Sequence, residues 1–244
     1  MKKNKRMPFT AYLIVVTFIS TLEFSAFNFY PYRPYFLAMA LLFLVIHIGI
    51  NMKELANNWI RIALFLSAGI SYLMTGETVF SLLLITVSTT PDREYVYYFK
   101  IMVTTQIILT VISIVLAVCG IIPNICIERD RGWGLEQRYA LGFGHPNNFA
   151  NQTFSILLLL ICINKDKFTY KKLIVAILII CGNFYLTRSR TVLILSVFII
   201  SAICFGKKYK KIQEIFYKVV NWVLPMAFSL SIILPYIIYD IPEN

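Results

Sequence analysis

Nine apolar runs parted by short polar stretches dominate this sequence and leave few folds open to it. They lie at roughly 8 to 24, 35 to 50, 59 to 74, 78 to 90, 101 to 122, 147 to 163, 173 to 187, 191 to 205 and 216 to 238. A bilayer-spanning helix needs about 20 residues, within a range of about 17 to 25, so the fourth and eighth runs are the shortest fits. Of the 244 residues 59% are hydrophobic and 14% charged, whereas soluble domains carry about 25% charged residues. That excludes a soluble enzyme. Inside lipid each backbone polar group must be satisfied within the segment, which selects helices. The sequence therefore predicts an all-α, polytopic integral membrane protein of about nine transmembrane helices. It reads as one membrane domain over 1–244, multi-pass in the cell membrane.

The first run follows Lys2, Lys3, Lys5 and Arg6 like a signal peptide, but Glu23-Phe24 stands where a small-residue cleavage site would be expected, which predicts a retained anchor. Positive charges flanking membrane helices stay preferentially in the cytoplasm. With the N-terminus cytoplasmic and all nine runs crossing, 17 of the 23 Lys and Arg residues fall inside. The outer six are Arg33, Arg129, Arg131, Arg138, Arg188 and Arg190, with no lysine among them. Merging the third and fourth runs would move Arg93 and Lys100 to the face opposite Lys53 and Arg61, so nine crossings fit the charges better. The net charge of +11 is thereby a topological signal, and nucleic acid is not an expected partner. Aromatic residues fall at both interfaces, Phe27, Phe29, Tyr30, Tyr32 and Tyr35 outside and Tyr95, Tyr97, Tyr98 and Phe99 inside.

An outer face whose cations are all arginine is suited to gripping anions. Arginine presents a planar fork that binds phosphate or carboxylate bidentately and stays charged at any working pH. Half of the outer arginines lie in the loop from Pro123 to Pro146, which also holds Glu128, Asp130, Glu136, His145 and the glycines 132, 134, 142 and 144. Glycine permits positive φ and close backbone approach to a ligand, so main-chain donors can join the guanidinium groups. His145-Pro146-Asn147 opens the sixth run. Proline suits a first helical turn, and a helix N-terminus is a seat for an anion. His145 reads equally as a general base or as a helix cap. The third candidate is Thr187-Arg188-Ser189-Arg190-Thr191, a polar hairpin near the outer surface, with Gly182-Asn183 before it marking a break in the seventh helix. Glu23 and Glu77 are secondary acid/base candidates.

Four of the five cysteines, Cys119, Cys162, Cys181 and Cys204, sit inside apolar runs and read as small buried hydrophobes. No ligand spacing for a metal, no P-loop and no GxGxxG is present, so no cofactor is expected.

The run Arg138 to Ala150, RYALGFGHPNNFA, followed by Leu186 to Thr191, LTRSRT, resembles the Wzy group of oligosaccharide repeat-unit polymerases within the O-antigen polymerase and ligase superfamily. The resemblance implies a metal-independent membrane glycosyltransferase that joins undecaprenyl-diphosphate-linked oligosaccharides into capsular or exopolysaccharide at the outer face. It implies a flippase and a chain-length regulator as pathway partners, besides the lipid-linked oligosaccharide and the bilayer. By matching position Arg138 and His145 fall on the first motif and Arg188 and Arg190 on the second, and Arg131 and Gly142 reproduce an arginine-x10-glycine spacing. Members commonly continue with further helices and a large outer loop, so the chain corresponds to the N-terminal part of such a fold. The implied site is Arg129, Arg131, Arg138, Arg188, Arg190 and Asn147 around the diphosphate, with His145 or Glu136 as base.

Three other readings compete with it. An O-antigen-type ligase would use a similar donor with a different acceptor. An anion or polysaccharide transporter would need polar residues threading several helices to the inner face, and the runs are nearly clean apart from Gln106, Asn151, Gln152 and Asn183. An inactive fragment is the third.

Overall fold

The computed structural model describes residues 2–56, 59–75, 78–89, 94–130, 132, 134–164 and 169–208. Eight α-helices follow the first eight apolar runs: α1 Lys2–Glu23, α2 Arg33–Ala56, α3 Trp59–Thr75, α4 Thr78–Thr89, α5 Tyr95–Val118, α6 Pro146–Ile163, α7 Tyr170–Thr187 and α8 Arg190–Lys208. A 3-10 turn at Tyr30–Tyr32 leads into α2. The ninth run, 216–238, lies outside the described residues, as do Glu77, Arg131 and Trp133. The described residues up to Val192 form one compact unit, and those from Leu193 to Lys208, the rest of α8, belong to a second.

Among the described residues three segments are long and apolar enough to cross a membrane: Tyr30–Ile50, Tyr95–Val118 and Tyr170–Thr187. Arg61–Leu73 and Arg190–Ser201 are apolar but shorter. Polarity in the first unit is inverted relative to a water-soluble bundle. Leu42, Val45, Leu66, Leu73, Val111, Val115, Ile174 and Leu178 face outward, while Thr17, Thr21, Gln106, Thr110, Ser113, Gln152, Asn183 and Thr187 are buried. An apolar exterior of this extent requires an apolar solvent, which is the signature of a membrane protein.

The buried amides and hydroxyls find one another across helices. The Gln152 amide on α6 donates to Thr21 of α1 at 3.3 Å and to Thr110 of α5 at 3.4 Å, and the Gln106 amide on α5 donates to Ser155 at 3.2 Å. Such bonds contribute about 0.6 to 2 kcal/mol each between membrane helices, and they also fix rotation, because a slipped register leaves a polar group in hydrocarbon. The main apolar core packs Phe9, Tyr12, Leu13, Val16 and Ile19 of α1 against Ala40 and Leu44 of α2, Leu82 of α4 and Tyr98 of α5.

Contacts at the helix termini define two ends of this unit. At one, Arg6 binds Glu94, and His47 stacks on Phe9 with centroids 4.2 Å apart while its Nε2 lies 3.2 Å from the Thr89 carbonyl. The start of α1, the late part of α2, the end of α4 and the start of α5 therefore meet. At the other end Glu23 pairs with Arg33 at 3.1 Å, and the exit of α1 meets the segment that precedes α6.

The structure departs from the all-α expectation in the loop between α5 and α6, which folds into an antiparallel hairpin, β1 Cys126–Asp130 with β2 Leu135–Tyr139. Gly132 and Gly134, at φ +85° and +120°, stand in the turn where a side chain would be strained. Pairing satisfies backbone groups that an open loop would leave to water. Helix α7 runs unbroken through Gly182-Asn183, with the Asn183 amide bonding to the Ala150 carbonyl of α6 instead of competing for the backbone ladder. Cys119, Cys162, Cys181 and Cys204, expected to be buried, are all exposed. Thiols of this size are tolerated facing lipid as well as core.

The strip after the hairpin docks on the exit of α1 through its backbone. The Gly144 N–H donates to the Phe24 carbonyl at 2.9 Å, and the Ala26 N–H donates to the Gly142 carbonyl at 2.8 Å. Gly142 has φ +84°, and a Cβ there would collide with the Ser113 carbonyl oxygen of α5 and lie 3.2 Å from the Ala117 methyl. Replacing Gly142 with Ala is expected to lower stability in detergent by about 2 to 4 kcal/mol, from left-handed strain plus overpacking. Gly132→Ala has a similar φ in open space, and thermal unfolding should show about 1 kcal/mol. Equal losses at the two positions would mean that the α5 contact is unimportant.

Candidate functional site

Strand periodicity decides which hairpin residues face the protein. Directly opposed residues share a face, so Ile127, Arg129, Glu136 and Arg138 lie on one side and Cys126, Glu128, Asp130, Leu135, Gln137 and Tyr139 on the other. The second face is the more exposed. There Gln137 donates to Glu128 at 3.1 Å, and Asp130 accepts from the Gly132 N–H at 2.8 Å. The first face turns inward and carries Arg129, which is exposed, Glu136, which is half-buried, and Arg138, which is buried.

Arg138 is 4% exposed and joins three elements. Its Nε donates to the Thr187 carbonyl at the C-terminal end of α7 at 2.7 Å, and its Nη2 donates to Asn147 Oδ1 in the first turn of α6 at 2.6 Å. The cation at the α7 C-terminus complements the helix dipole. Both of these acceptors are neutral, and together they orient the guanidinium.

Thr187 immediately precedes Arg188, so the two arginine motifs converge. Arg188 is the C-cap of α7 in the left-handed conformation, φ 50° and ψ 30°, with its N–H donating to the Phe184 carbonyl. A non-glycine residue there costs about 1 kcal/mol or more. Its guanidinium carbon lies 5.3 Å from the Tyr185 ring centre and 5.9 Å from that of Phe184, which is cation–π range. Arg190 opens α8 and is exposed.

His145 is the N-cap of α6. Its Nδ1 accepts from the Asn147 N–H at 3.1 Å, while its carbonyl accepts from the Asn148 N–H at 2.9 Å and the Phe149 N–H at 3.3 Å. The first-turn amides read as an anion seat are thus committed within the chain, and Pro146 has none to offer. With Nδ1 accepting, the neutral ring carries its proton on Nε2 and presents a donor. Below this turn Ala140, Phe143 and Phe149 form a small core backed by Ile114, Ile125 and Leu186.

The site therefore assembles Arg138, Asn147, His145 and Arg188 around the start of α6 and the end of α7, with Glu136 and Arg129 along the inward strand face. Arg131 lies outside the described residues. Two features escaped the sequence reading. Tyr185 as a perch for Arg188 had a signal, an aromatic three residues before an arginine at a helix end. The docking of 24–26 on 142–144 had none, because backbone hydrogen bonds leave no side-chain code. Among the described residues no three His, Cys, Asp or Glu side chains gather as metal ligands. No family model matches this chain, and no match is found among curated proteins or solved structures.

The Arg138–Asn147 bond is charge-assisted and part-buried. A double-mutant cycle of Arg138→Ala and Asn147→Ala, read by denaturation in detergent, is expected to give a coupling of about 1 to 3 kcal/mol. Purely additive losses would remove this bond as the link between hairpin and α6.

Proposed function

We propose that this chain is a Wzy-type membrane glycosyltransferase. It joins undecaprenyl-diphosphate-linked oligosaccharide repeat units at the outer face of the membrane, crossing nine times from a cytoplasmic N-terminus. The observation that carries this reading is the convergence of Arg138 and Arg188, fifty positions apart in sequence, through the Thr187 carbonyl. The meeting of alternate helix termini at two ends of the unit supports alternating crossings. The described cations at the hairpin end, Arg33, Arg129, Arg138, Arg188 and Arg190, are all arginine, which agrees with an external face.

In this reaction an acceptor-sugar hydroxyl attacks the anomeric carbon of the donor. The glycosidic bond forms, the carbon–oxygen bond to the diphosphate breaks, and negative charge builds on the departing lipid diphosphate. Guanidinium groups fixed in advance stabilise that charge more than they stabilise the ground state. Arg138, oriented by the Thr187 carbonyl and the Asn147 amide oxygen, is one of these groups. His145, with Nδ1 engaged in the cap, serves as a donor toward the leaving group. The hydroxyl proton passes to Glu136, the carboxylate on the same strand face as Arg138.

Arg188→Lys and Arg190→Lys retain charge but lose the bidentate fork. In complementation of a polymer-deficient strain each is expected to shorten the polysaccharide severely, and normal chain length from both would overturn the reading. Cys126 is an exposed native thiol on β1. A membrane-impermeant maleimide applied to intact cells should label it, and a Cys126→Ser variant should lose that label. Labelling of Cys126 after permeabilisation alone would place the arginine cluster in the cytosol and end the proposal.

A further inference from the structure

A buried amide on a membrane helix needs a reason, and Asn183 lies one turn below the arginine turn. It is 6% exposed. Its Nδ2 donates to the Ala150 carbonyl of α6 at 3.2 Å. The Thr187 hydroxyl donates to the Asn183 carbonyl at 2.7 Å, lies 3.4 Å from Asn183 Oδ1, and accepts from the Ser189 N–H at 3.3 Å. With the Arg138 bonds these contacts close a circuit. It runs from Asn147 of α6 to Arg138, to Thr187 of α7, to Asn183 and back to Ala150 of α6. Asn147 and Ala150 are one helical turn apart, so the circuit locks the end of α7 against the start of α6.

The circuit bears directly on Arg188. The left-handed cap is unfavourable for arginine, and the bonds on either side of it, Thr187 hydroxyl to Asn183 and Ser189 N–H to Thr187, hold the turn in that shape. Simple glue between α6 and α7 would need only the Asn183–Ala150 bond. Continuing the network around the strained residue does more: it fixes the backbone from which Arg188 projects, one residue past the carbonyl that holds Arg138.

We infer that Asn183 and Thr187 are positioning residues that hold Arg188 in its left-handed cap beside Arg138, so that both guanidinium groups are preset for one diphosphate. This rests on the polymerase reading for the identity of the anion, and it adds the residues that act through the arginines without touching it.

The test is binding of inorganic pyrophosphate to the full chain in detergent, measured by titration calorimetry. The variants are Asn183→Ala, Thr187→Val, Arg188→Ala and the two doubles with Arg188→Ala. Thr187→Val keeps shape and the backbone carbonyl that anchors Arg138, and it removes the hydroxyl alone. Each single variant is expected to weaken binding about tenfold, and each double is expected to bind as weakly as Arg188→Ala alone, since residues acting through one group are non-additive. Circular dichroism of Thr187→Val reports that the helices persist if Asn183→Ala does not fold. Loss of affinity in Arg188→Ala with unchanged affinity in Thr187→Val overturns the positioning role and leaves the diphosphate site standing. Independent, multiplying losses in the doubles also overturn it. Absence of pyrophosphate binding by the unaltered chain overturns the diphosphate site and this role with it.

Discussion

The buried guanidinium of Arg138 is the interaction on which the hairpin end of the molecule depends. Taking a charge out of water costs several kcal/mol unless geometry returns it, and here the return comes from a helix C-terminal carbonyl and an amide oxygen at 2.7 and 2.6 Å. Those acceptors belong to α7 and α6, so the bonds that make the charge tolerable also clamp β2 onto two helix termini.

A second constraint lies deeper. Four helices of the first unit meet through amides and hydroxyls, Thr21 on α1, Gln106 and Thr110 on α5, Gln152 and the half-buried Ser155 on α6, and Asn183 on α7. In lipid, apolar contact between helices has little directional preference, because acyl chains are as apolar as leucine. Polar contacts supply the specificity that apolar ones lack. They place the start of α6 beside the exit of α1, where the strip around Gly142 docks against Ser113 and Phe24.

The same local geometry sorts the titratable groups by position. His145 spends Nδ1 on capping α6. Glu136 stands on the inward strand face beside two arginines, and Glu128 and Asp130 are turned away with Gln137. A two-residue period thus separates carboxylates only a few positions apart into one group within the site and another outside it.

The helices and the residue types at each end were legible from the chain alone. The apolar runs at 101 to 122 and 147 to 163 appear as α5 and α6 with boundaries shifted by a few residues, because length and composition suffice to make a helix where backbone groups cannot reach water. The clustering of arginine, the cap at His145 and the polar turn at Thr187–Thr191 were likewise visible. What the linear sequence left open was distance: that Arg138 meets the residue before Arg188, that Asn183 bridges without breaking α7, that the loop between α5 and α6 pairs with itself, and that Gly142 leans on a carbonyl of α5. Each depends on which helix faces are turned toward one another. Hydropathy drives a segment into the bilayer without specifying its rotation, so that choice fell to the buried polar contacts made when the helices packed.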